Sequence, residues 1–277
     1  MDKKGQSMGV NKKKTRDFFR TQDGVELFFE YIDNRKQDTI VFINGLFQCV
    51  FNWYPLIDLL DDRYNILLYD LRAQGKSKIQ DQEITFDRHV LDLVELTDHL
   101  GLKNINIVGM SLGSIIGLMF AINYKERVNK LALLGVTGGA RLQMILDDWK
   151  YTLELLGDFA LFKFIIPWLF SSSFIEKNQD KLDGIINALI ERNKLENLLR
   201  LMSSMLPCPG MEELINNLEK SCVIIVGEED ALSSKNWIKR LQSSIDNQNE
   251  IIFIPDVGHS LIEEASHKVA EIITSFI

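Results

Sequence analysis

Short apolar runs typical of buried strands alternate with amphipathic segments typical of helices along most of this 277-residue chain. The segments predicted as strands are 25–32, at an edge of the sheet, and 39–43, 65–69, 105–108, 128–134, 222–226 and 250–254. The segments predicted as helices are 85–100, 111–124, 233–245 and 261–276. Runs of Ile, Leu and Val between helices predict an α/β fold, with a mostly parallel sheet of about eight strands and helices on both faces.

The alternation stops between about residues 138 and 218, where the chain reads as wholly helical and no strand is predicted. A helical excursion between strands of one sheet lies outside that sheet. The sequence therefore predicts a helical cap over 138–218, an α/β core made of 20–137 and 219–277, and a basic, disordered tail over 1–19. A tail that binds a membrane surface or a partner is the alternative.

Charge and composition restrict the partners of the chain. The formal net charge of -8 argues against nucleic-acid binding, because phosphate contacts need clustered Lys and Arg. The most apolar stretch, 159–170, is too short to span a bilayer, so no transmembrane segment is predicted.

The scattered cysteines Cys49, Cys208 and Cys222 form neither a disulfide framework nor a zinc motif, which favours a reducing, cytoplasmic setting. Nothing in the composition indicates an oligomeric state.

The sequence Gly109-Met110-Ser111-Leu112-Gly113 stands between a predicted strand and a predicted helix. A serine nucleophile sits in a tight strand-to-helix turn, and glycine two residues to either side lets strand and helix approach each other. The helix N-terminus places the amide of Leu112 beside the oxygen of Ser111, where negative charge develops. The loop Asn44-Gly45 turns the following amide inward, so Leu46 is predicted as the second oxyanion donor.

A serine nucleophile also needs a base, and the chain has four histidines. His89 and His99 are predicted on the surface of one amphipathic helix, and His267 lies within the last helix. His259 alone sits in a loop after a predicted strand, at the edge of a parallel sheet where ligands bind. We therefore predict His259 as the base that activates Ser111.

The predicted third member of the triad is Asp230, in the turn after the strand 222–226. Such an acid orients the imidazole and stabilises its charged form. The chain order of serine, acid and histidine, each after a successive strand, favours Asp230. Its neighbours Glu228 and Glu229 remain alternatives.

Together these motifs resemble the α/β-hydrolase superfamily across about residues 20–277. The segment 70–77, Asp-Leu-Arg-Ala-Gln-Gly-Lys-Ser, is similar to the family's Asp-x-Arg-Gly-x-Gly-x-Ser segment, which supports the active-site loops without being catalytic. The resemblance implies a serine hydrolase that cleaves a carboxylic ester or thioester through an acyl-enzyme, with no metal or organic cofactor. It says little about the substrate, because this fold hosts many chemistries.

One departure from the family pattern opens a second function. Most members carry His-Gly in the oxyanion loop, whereas this chain has Asn44-Gly45. In that respect the chain resembles 3-hydroxyacyl-carrier-protein transacylases, which would make it an acyltransferase with acyl carrier protein as a partner. A third alternative is a non-catalytic ligand-binding protein of the same fold.

Apolar residues in the predicted cap favour a small-molecule substrate with an apolar acyl group, although the same residues could simply pack the cap on the core. The residues predicted to bind the substrate are Phe47, Met110, Trp168 and Phe170.

Overall fold

The computed structural model describes residues 13–60, 62–204, 208–233, 235–244 and 249–277. Eight strands in these residues form one sheet in the order β1-β2-β4-β3-β5-β6-β7-β8. The strands are β1 Lys13–Arg20, β2 Glu26–Asp33, β3 Thr39–Ile43, β4 Asn65–Tyr69, β5 Ile105–Met110, β6 Val128–Leu134, β7 Ser221–Gly227 and β8 Asn249–Ile254. The β1–β2 and β2–β4 pairs are antiparallel, and the remaining pairs are parallel. The predicted α/β class and the mostly parallel sheet are confirmed.

Helices follow most of the parallel strands. They are α1 Tyr54–Ile57, α2 Phe86–His99, α3 Leu112–Asn123, α4 Gly139–Leu169, α5 Ser172–Lys177, α6 Leu182–Arg192, α7 Leu195–Ser204, α8 Met211–Asn216, α9 Lys235–Ser244 and α10 Leu261–Phe276. The side chain of Thr85 caps α2 by accepting a hydrogen bond from the amide of Arg88, so the predicted start of that helix is confirmed.

The sheet carries a separate apolar layer on each face. Alternate residues of one strand point to opposite faces, so Val41 of β3 belongs to the layer with α2, α3 and α9. Its neighbour Phe42 belongs to the layer with α1 and α10. Because β3 to β7 are covered on both faces, they consist of nearly continuous apolar runs.

The predicted disordered tail is wrong for residues 13–19, which form most of β1 and pair with β2. The strand has little apolar patterning, and its side chains are mostly exposed. Its cations bind the buried carboxylate of Glu30, with Lys14 and Arg16 each at 2.8 Å. The tail predicted over residues 1–12 lies outside the described residues.

Two further expectations are corrected by the packing. The strand predicted at 25–32 is not at an edge, because β2 lies between β1 and β4. His89 is not a surface residue, since the inner face of α2 buries its side chain to 2% exposure. Burial lowers the pKa of His89 to about 3, helped by the nearby cations Arg72 and Arg88.

The described chain between β6 and β7 is helical, in agreement with the predicted helical insertion. The longest helix, α4, is interrupted at Gly157, whose φ of +83° breaks the helical path. The bounds of a cap over 138–218 and of the two core segments stay predictions. None of the helices in the described part of the chain combines the length and hydropathy needed to cross a bilayer.

The strand order places a crevice at the carboxyl ends of β3 and β5. From β3 the chain crosses to β4 on one side, whereas β5 lies on the other side of β3. Loops that leave such neighbouring strands in opposite directions open a binding site between them. The loop that begins at Asn44 and the turn at Ser111 are the two loops that border this crevice.

Candidate active site

Ser111 occupies the tip of the turn between β5 and α3 in a strained conformation. Its φ of 52° and ψ of −111° lie outside the regions that non-glycine residues normally adopt. The backbone holds this turn, because the amide of Ser111 donates to the carbonyl of Leu134 at 2.8 Å. Strain of this kind persists where the surroundings fix it, and it commonly marks functional sites.

The two glycines that flank Ser111 are required by contact between backbones. A Cβ on Gly109 would lie 2.4 Å from the carbonyl oxygen of Gly113. A Cβ on Gly113 would lie 2.1 Å from the carbonyl oxygen of Ile43, at the end of β3. The predicted close approach of strand and helix is therefore confirmed, and α3 begins directly against the loop after β3.

His259 and Asp230 are brought together from the loops after β8 and β7. Nδ1 of His259 lies 2.8 Å from Oδ2 of Asp230, and both side chains are buried. The other oxygen of Asp230 accepts the amides of Leu232 and Ser233 at 2.8 and 3.0 Å. The carboxylate is thus fixed in place, and it can hold the imidazole in one orientation with Nε2 free for chemistry.

The alternative acids in the same turn are placed differently. Glu229 is exposed, and its carboxylate accepts the amide of Ser172 at 3.0 Å. Glu228 is also exposed. Of the three acids in this turn, Asp230 is the one that lies against His259.

A single cavity is shared by Ser111 and His259. It has about 670 Å³ of atom-free space, counted out to its open mouth. The lining residues are Gly45, Leu46, Phe47, Gln48, Asn52, Met110, Ser111, Thr137, Leu142, Leu146, Trp149, Leu169, Phe170, Leu189, Leu232, His259, Ser260 and Glu263. Within the described residues no group of three or more His, Cys, Asp or Glu side chains could hold a metal ion.

Of the two predicted oxyanion donors, Leu46 lines this cavity, and Leu112 directly follows the lining residue Ser111. Leu46 belongs to a turn closed by the amide of Gln48, which donates to the carbonyl of Gly45 at 3.3 Å. Phe47 follows with a φ of +69°, a conformation that favours glycine. Neither the amide of Leu46 nor that of Leu112 donates a hydrogen bond to a described residue. Their role as oxyanion donors stays a prediction.

Asn44 supports the oxyanion loop from behind and does not line the cavity. Its side chain is fully buried, and it donates to the carbonyl of Tyr69 at 3.0 Å while accepting the indole N–H of Trp53 at 2.7 Å. The replacement of the family's histidine by Asn44 thus changes an internal support of the loop. It gives no support to an altered acceptor site or to acyl carrier protein as a partner.

The segment 70–77 also supports this loop, as the resemblance implies. Asp70 accepts the amides of Val50 and Lys76, both at 2.8 Å. Burial raises the pKa of Asp70 to about 6, although these amides act in the opposite direction. Gln74 donates to the carbonyl of Gly45 at 3.1 Å and so fixes the turn that carries Leu46.

Three of the four predicted substrate-binding residues line the cavity: Phe47, Met110 and Phe170. Trp168 does not, and its ring instead lies edge-on to that of Trp149, with centroids 6.5 Å apart. The lining residues that the sequence did not single out include Leu142, Leu146 and Trp149 of α4. Apolar residues occur all around α4, so the sequence does not mark which face borders the cavity.

The chain after α4 is attached to the histidine loop. The amide of Ser260 donates to the carbonyl of Leu169 at 2.8 Å. Glu264 accepts the hydroxyl of Ser171 at 2.5 Å and the amide of Gly258 at 3.1 Å. The helices between β6 and β7 therefore help to position His259.

Comparison with known proteins places these features in a family context. The family model for the alpha/beta hydrolase fold matches residues 38–182. The Uncharacterized hydrolase YugF of Bacillus subtilis is 25% identical over 266 residues, which cover 93% of this chain and 96% of that protein. The 2-hydroxy-6-oxononadienedioate/2-hydroxy-6-oxononatrienedioate hydrolase of Paraburkholderia phymatum is 25% identical over 271 residues, covering 92% and 93%.

A solved structure is similar over the same extent. The crystal structure of MGS-M2, an alpha/beta hydrolase enzyme from a Medee basin deep-sea metagenome library, superposes with a TM-score of 0.83. The two sequences are 25% identical, and the superposition covers 94% of this chain and 96% of that chain. The similarity therefore includes the sheet and the helices on either side of it.

Proposed function

The chain belongs to the alpha/beta hydrolase fold family, and we propose that it is a serine hydrolase that cleaves a carboxylic ester or thioester with an apolar acyl group. One observation carries the proposal: His259, whose Nδ1 lies 2.8 Å from Asp230, lines the same cavity as the strained Ser111. A nucleophile, a base and an orienting acid are the groups that acyl transfer to serine requires.

The first half of the proposed reaction forms an acyl-enzyme. Nε2 of His259 removes the proton of the Ser111 hydroxyl as its oxygen attacks the carbonyl carbon of the substrate. Asp230 stabilises the imidazolium that forms. The amides of Leu112 and Leu46 donate to the oxyanion, and His259 then protonates the leaving alcohol or thiol.

The second half releases the acid. His259 removes a proton from water, the hydroxide attacks the acyl carbon, and the Ser111 oxygen leaves with the proton from the imidazolium. The support for an apolar acyl group is the cavity wall. Its apolar members include Leu142, Leu146 and Trp149, and burying an acyl chain against them is favourable.

The test replaces Ser111 and a matched serine. Ser111→Ala should lower kcat/KM for p-nitrophenyl hexanoate by at least about a thousandfold, because no acyl-enzyme can form. Its melting temperature should change little, since alanine and serine pay the same cost at a positive φ. Ser275→Ala is the control, because Ser275 is exposed on α10 and its hydroxyl bonds to a helix carbonyl.

A fluorophosphonate probe gives a second readout that needs no substrate. It should label the native chain at Ser111 and leave the Ser111→Ala variant unlabelled. Equal labelling of both proteins, or full esterase activity in the variant, would overturn the proposal. An unlabelled native chain that still binds apolar esters would favour the non-catalytic alternative. Acyl transfer to added alcohols faster than hydrolysis would favour the acyltransferase.

A further inference from the structure

The described lining of the cavity contains a carboxylic acid but no Lys or Arg side chain. Among its described lining residues, Glu263 is the one carboxylic acid. His259 is the remaining titratable group in the lining. A site that binds a carboxylate ordinarily presents Arg or Lys to it, because these give charge-assisted hydrogen bonds.

Glu263 lies one turn beyond His259, in the first turn of α10. Its side chain lines the cavity, and Oε1 accepts a hydrogen bond from the side-chain Nδ2 of Asn52 at 3.0 Å. Desolvation by the surrounding protein raises the pKa of Glu263, and the charge of Glu264 adds to this, whereas the hydrogen bond from the side chain of Asn52 and the charge of His259 lower it. No Lys or Arg among the described lining residues pairs with this carboxyl group.

Two cations near the oxyanion loop do not add a positive charge to the lining of the cavity. Nζ of Lys76 lies 4.9 Å from the ring centroid of Phe51, and the guanidinium carbon of Arg192 lies 6.0 Å from the same centroid. Phe51 does not line the cavity. These cations are thus held at an aromatic ring outside the wall that a substrate touches.

We propose that Glu263 sets the charge specificity of this site, which accepts uncharged esters and rejects esters whose acyl group carries a carboxylate. This inference rests on the proposed hydrolase function. A substrate carboxylate would meet Glu263 in a cavity largely walled by apolar groups, where repulsion between like charges is weakly screened. No described lining cation offsets it.

The inference separates this chain from one of its relatives. The Paraburkholderia phymatum protein is named as the hydrolase of a dioate, a compound with two carboxylates. A cavity that holds a carboxylate of its own is poorly suited to such a compound. The two proteins therefore differ in substrate charge despite their similarity along most of both chains.

The test compares two esters that differ in one charge. p-Nitrophenyl hexanoate and mono-p-nitrophenyl adipate share the leaving group and the six-carbon acyl chain, and adipate ends in a carboxylate. At pH 8 the native enzyme should favour the hexanoate ester by at least about tenfold in kcat/KM. Glu263→Gln should shrink this ratio at least about threefold, because the amide has a similar shape and no charge.

Glu271→Gln is the matched control. Glu271 lies on the same helix, is exposed, and pairs with Lys268 at 3.0 Å away from the cavity. This variant should retain the native ratio. Equal use of both esters by the native enzyme would overturn the inference, as would an unchanged ratio in Glu263→Gln.

A binding measurement separates this inference from the proposed function. Hexanamide and adipic acid monoamide are bound to the Ser111→Ala variant and compared by ligand-observed NMR, which needs no turnover. Weaker binding of the charged amide, relieved by adding Glu263→Gln, supports the inference even where no ester is cleaved. Equal binding of the two amides contradicts it. If the native chain cleaves none of the esters, the proposed hydrolysis is contradicted, whereas the inference on Glu263 is still tested by the binding of the two amides.

Discussion

At the scale of single residues, backbone strain is concentrated around the cavity. Of the five described non-glycine residues with positive φ, Ser111, Phe47 and Asp256 lie in the loops that carry the proposed nucleophile, the proposed oxyanion donor and His259. Each conformation costs about 1 to 3 kcal/mol, so the surrounding contacts must hold it. Strained backbone is therefore a feature of the loops that border the cavity.

Gly135, directly after β6, shows how little room the imidazole has. Its φ is +54°, and an added Cβ would lie 3.0 Å from Cε1 of His259 and 2.9 Å from Cε of Met110. Gly135→Ala should therefore displace the imidazole and lower kcat/KM at least about tenfold. The left-handed backbone should also cost about 1 to 2 kcal/mol of stability.

Gly101→Ala provides the control for this prediction. Gly101 has a similar φ of +68°, and an added Cβ meets nothing within 4 Å. Both variants should lose free energy of unfolding, measured with urea, through the left-handed backbone, and Gly135→Ala should lose more because its methyl group is crowded. The loss of activity should be confined to Gly135→Ala. Equal activities would show that His259 tolerates the added methyl group.

At the scale of elements, the sequence located the buried strands better than the exposed one. The bounds of β3, β4 and β6 agree residue for residue with the predicted segments, because each is a short apolar run next to a turn signal. β1 was missed, since Lys13–Arg20 has almost no apolar face. It exists through pairing with β2, and pairing partners cannot be read from one segment alone.

The joint between α6 and α7 is coupled to the oxyanion loop. Nδ2 of Asn193 donates to the carbonyl of Phe47 at 3.1 Å and to that of Leu189 at 2.9 Å. Asn193→Ala should free the strained turn that carries Leu46. Because oxyanion bonds act in the transition state, kcat should fall about tenfold with little change in KM.

Asn217→Ala is the matched control for this element. Its Nδ2 also donates to the carbonyl four residues earlier, Glu213, at 2.9 Å, but Asn217 is exposed and bonds to no loop of the site. Steady-state kinetics of both variants on one ester give the comparison. A larger effect on KM than on kcat in Asn193→Ala would count against a role in positioning the turn.

At the scale of the whole molecule, chain order predicted which loops come together, and packing determined which residues line the cavity between them. Ser111, Asp230 and His259 follow three different strands, and a parallel sheet brings such positions to one edge. Trp149 was not predicted as a lining residue, because tertiary contacts select the face of α4 that borders the cavity. His89 was misjudged for the same reason, and its burial affects the stability of the whole fold.

The buried His89 should make the protein less stable in mild acid. Unfolded, the imidazole binds a proton below its ordinary pKa of 6.5, whereas the folded protein binds it only near pH 3. The unfolded state therefore holds more protons between these values, and the free energy of unfolding should fall by about 2 kcal/mol from pH 7 to pH 5 through this group. Asp70, whose folded pKa is raised to about 6, acts in the opposite direction over the same range.

The two contributions separate by mutation. His89→Leu should remove the loss of about 2 kcal/mol while the Asp70 contribution remains, so the variant should gain stability relative to the native chain as the pH falls from 7 to 5. The control, His267→Leu, changes an imidazole that is exposed on α10 and meets solvent in both states. Urea unfolding of the three proteins at both pH values measures the difference. Parallel curves for His89→Leu and the native chain would mean that the folded protein protonates His89 at pH 5, which requires α2 to lift from the sheet or water to enter beneath it.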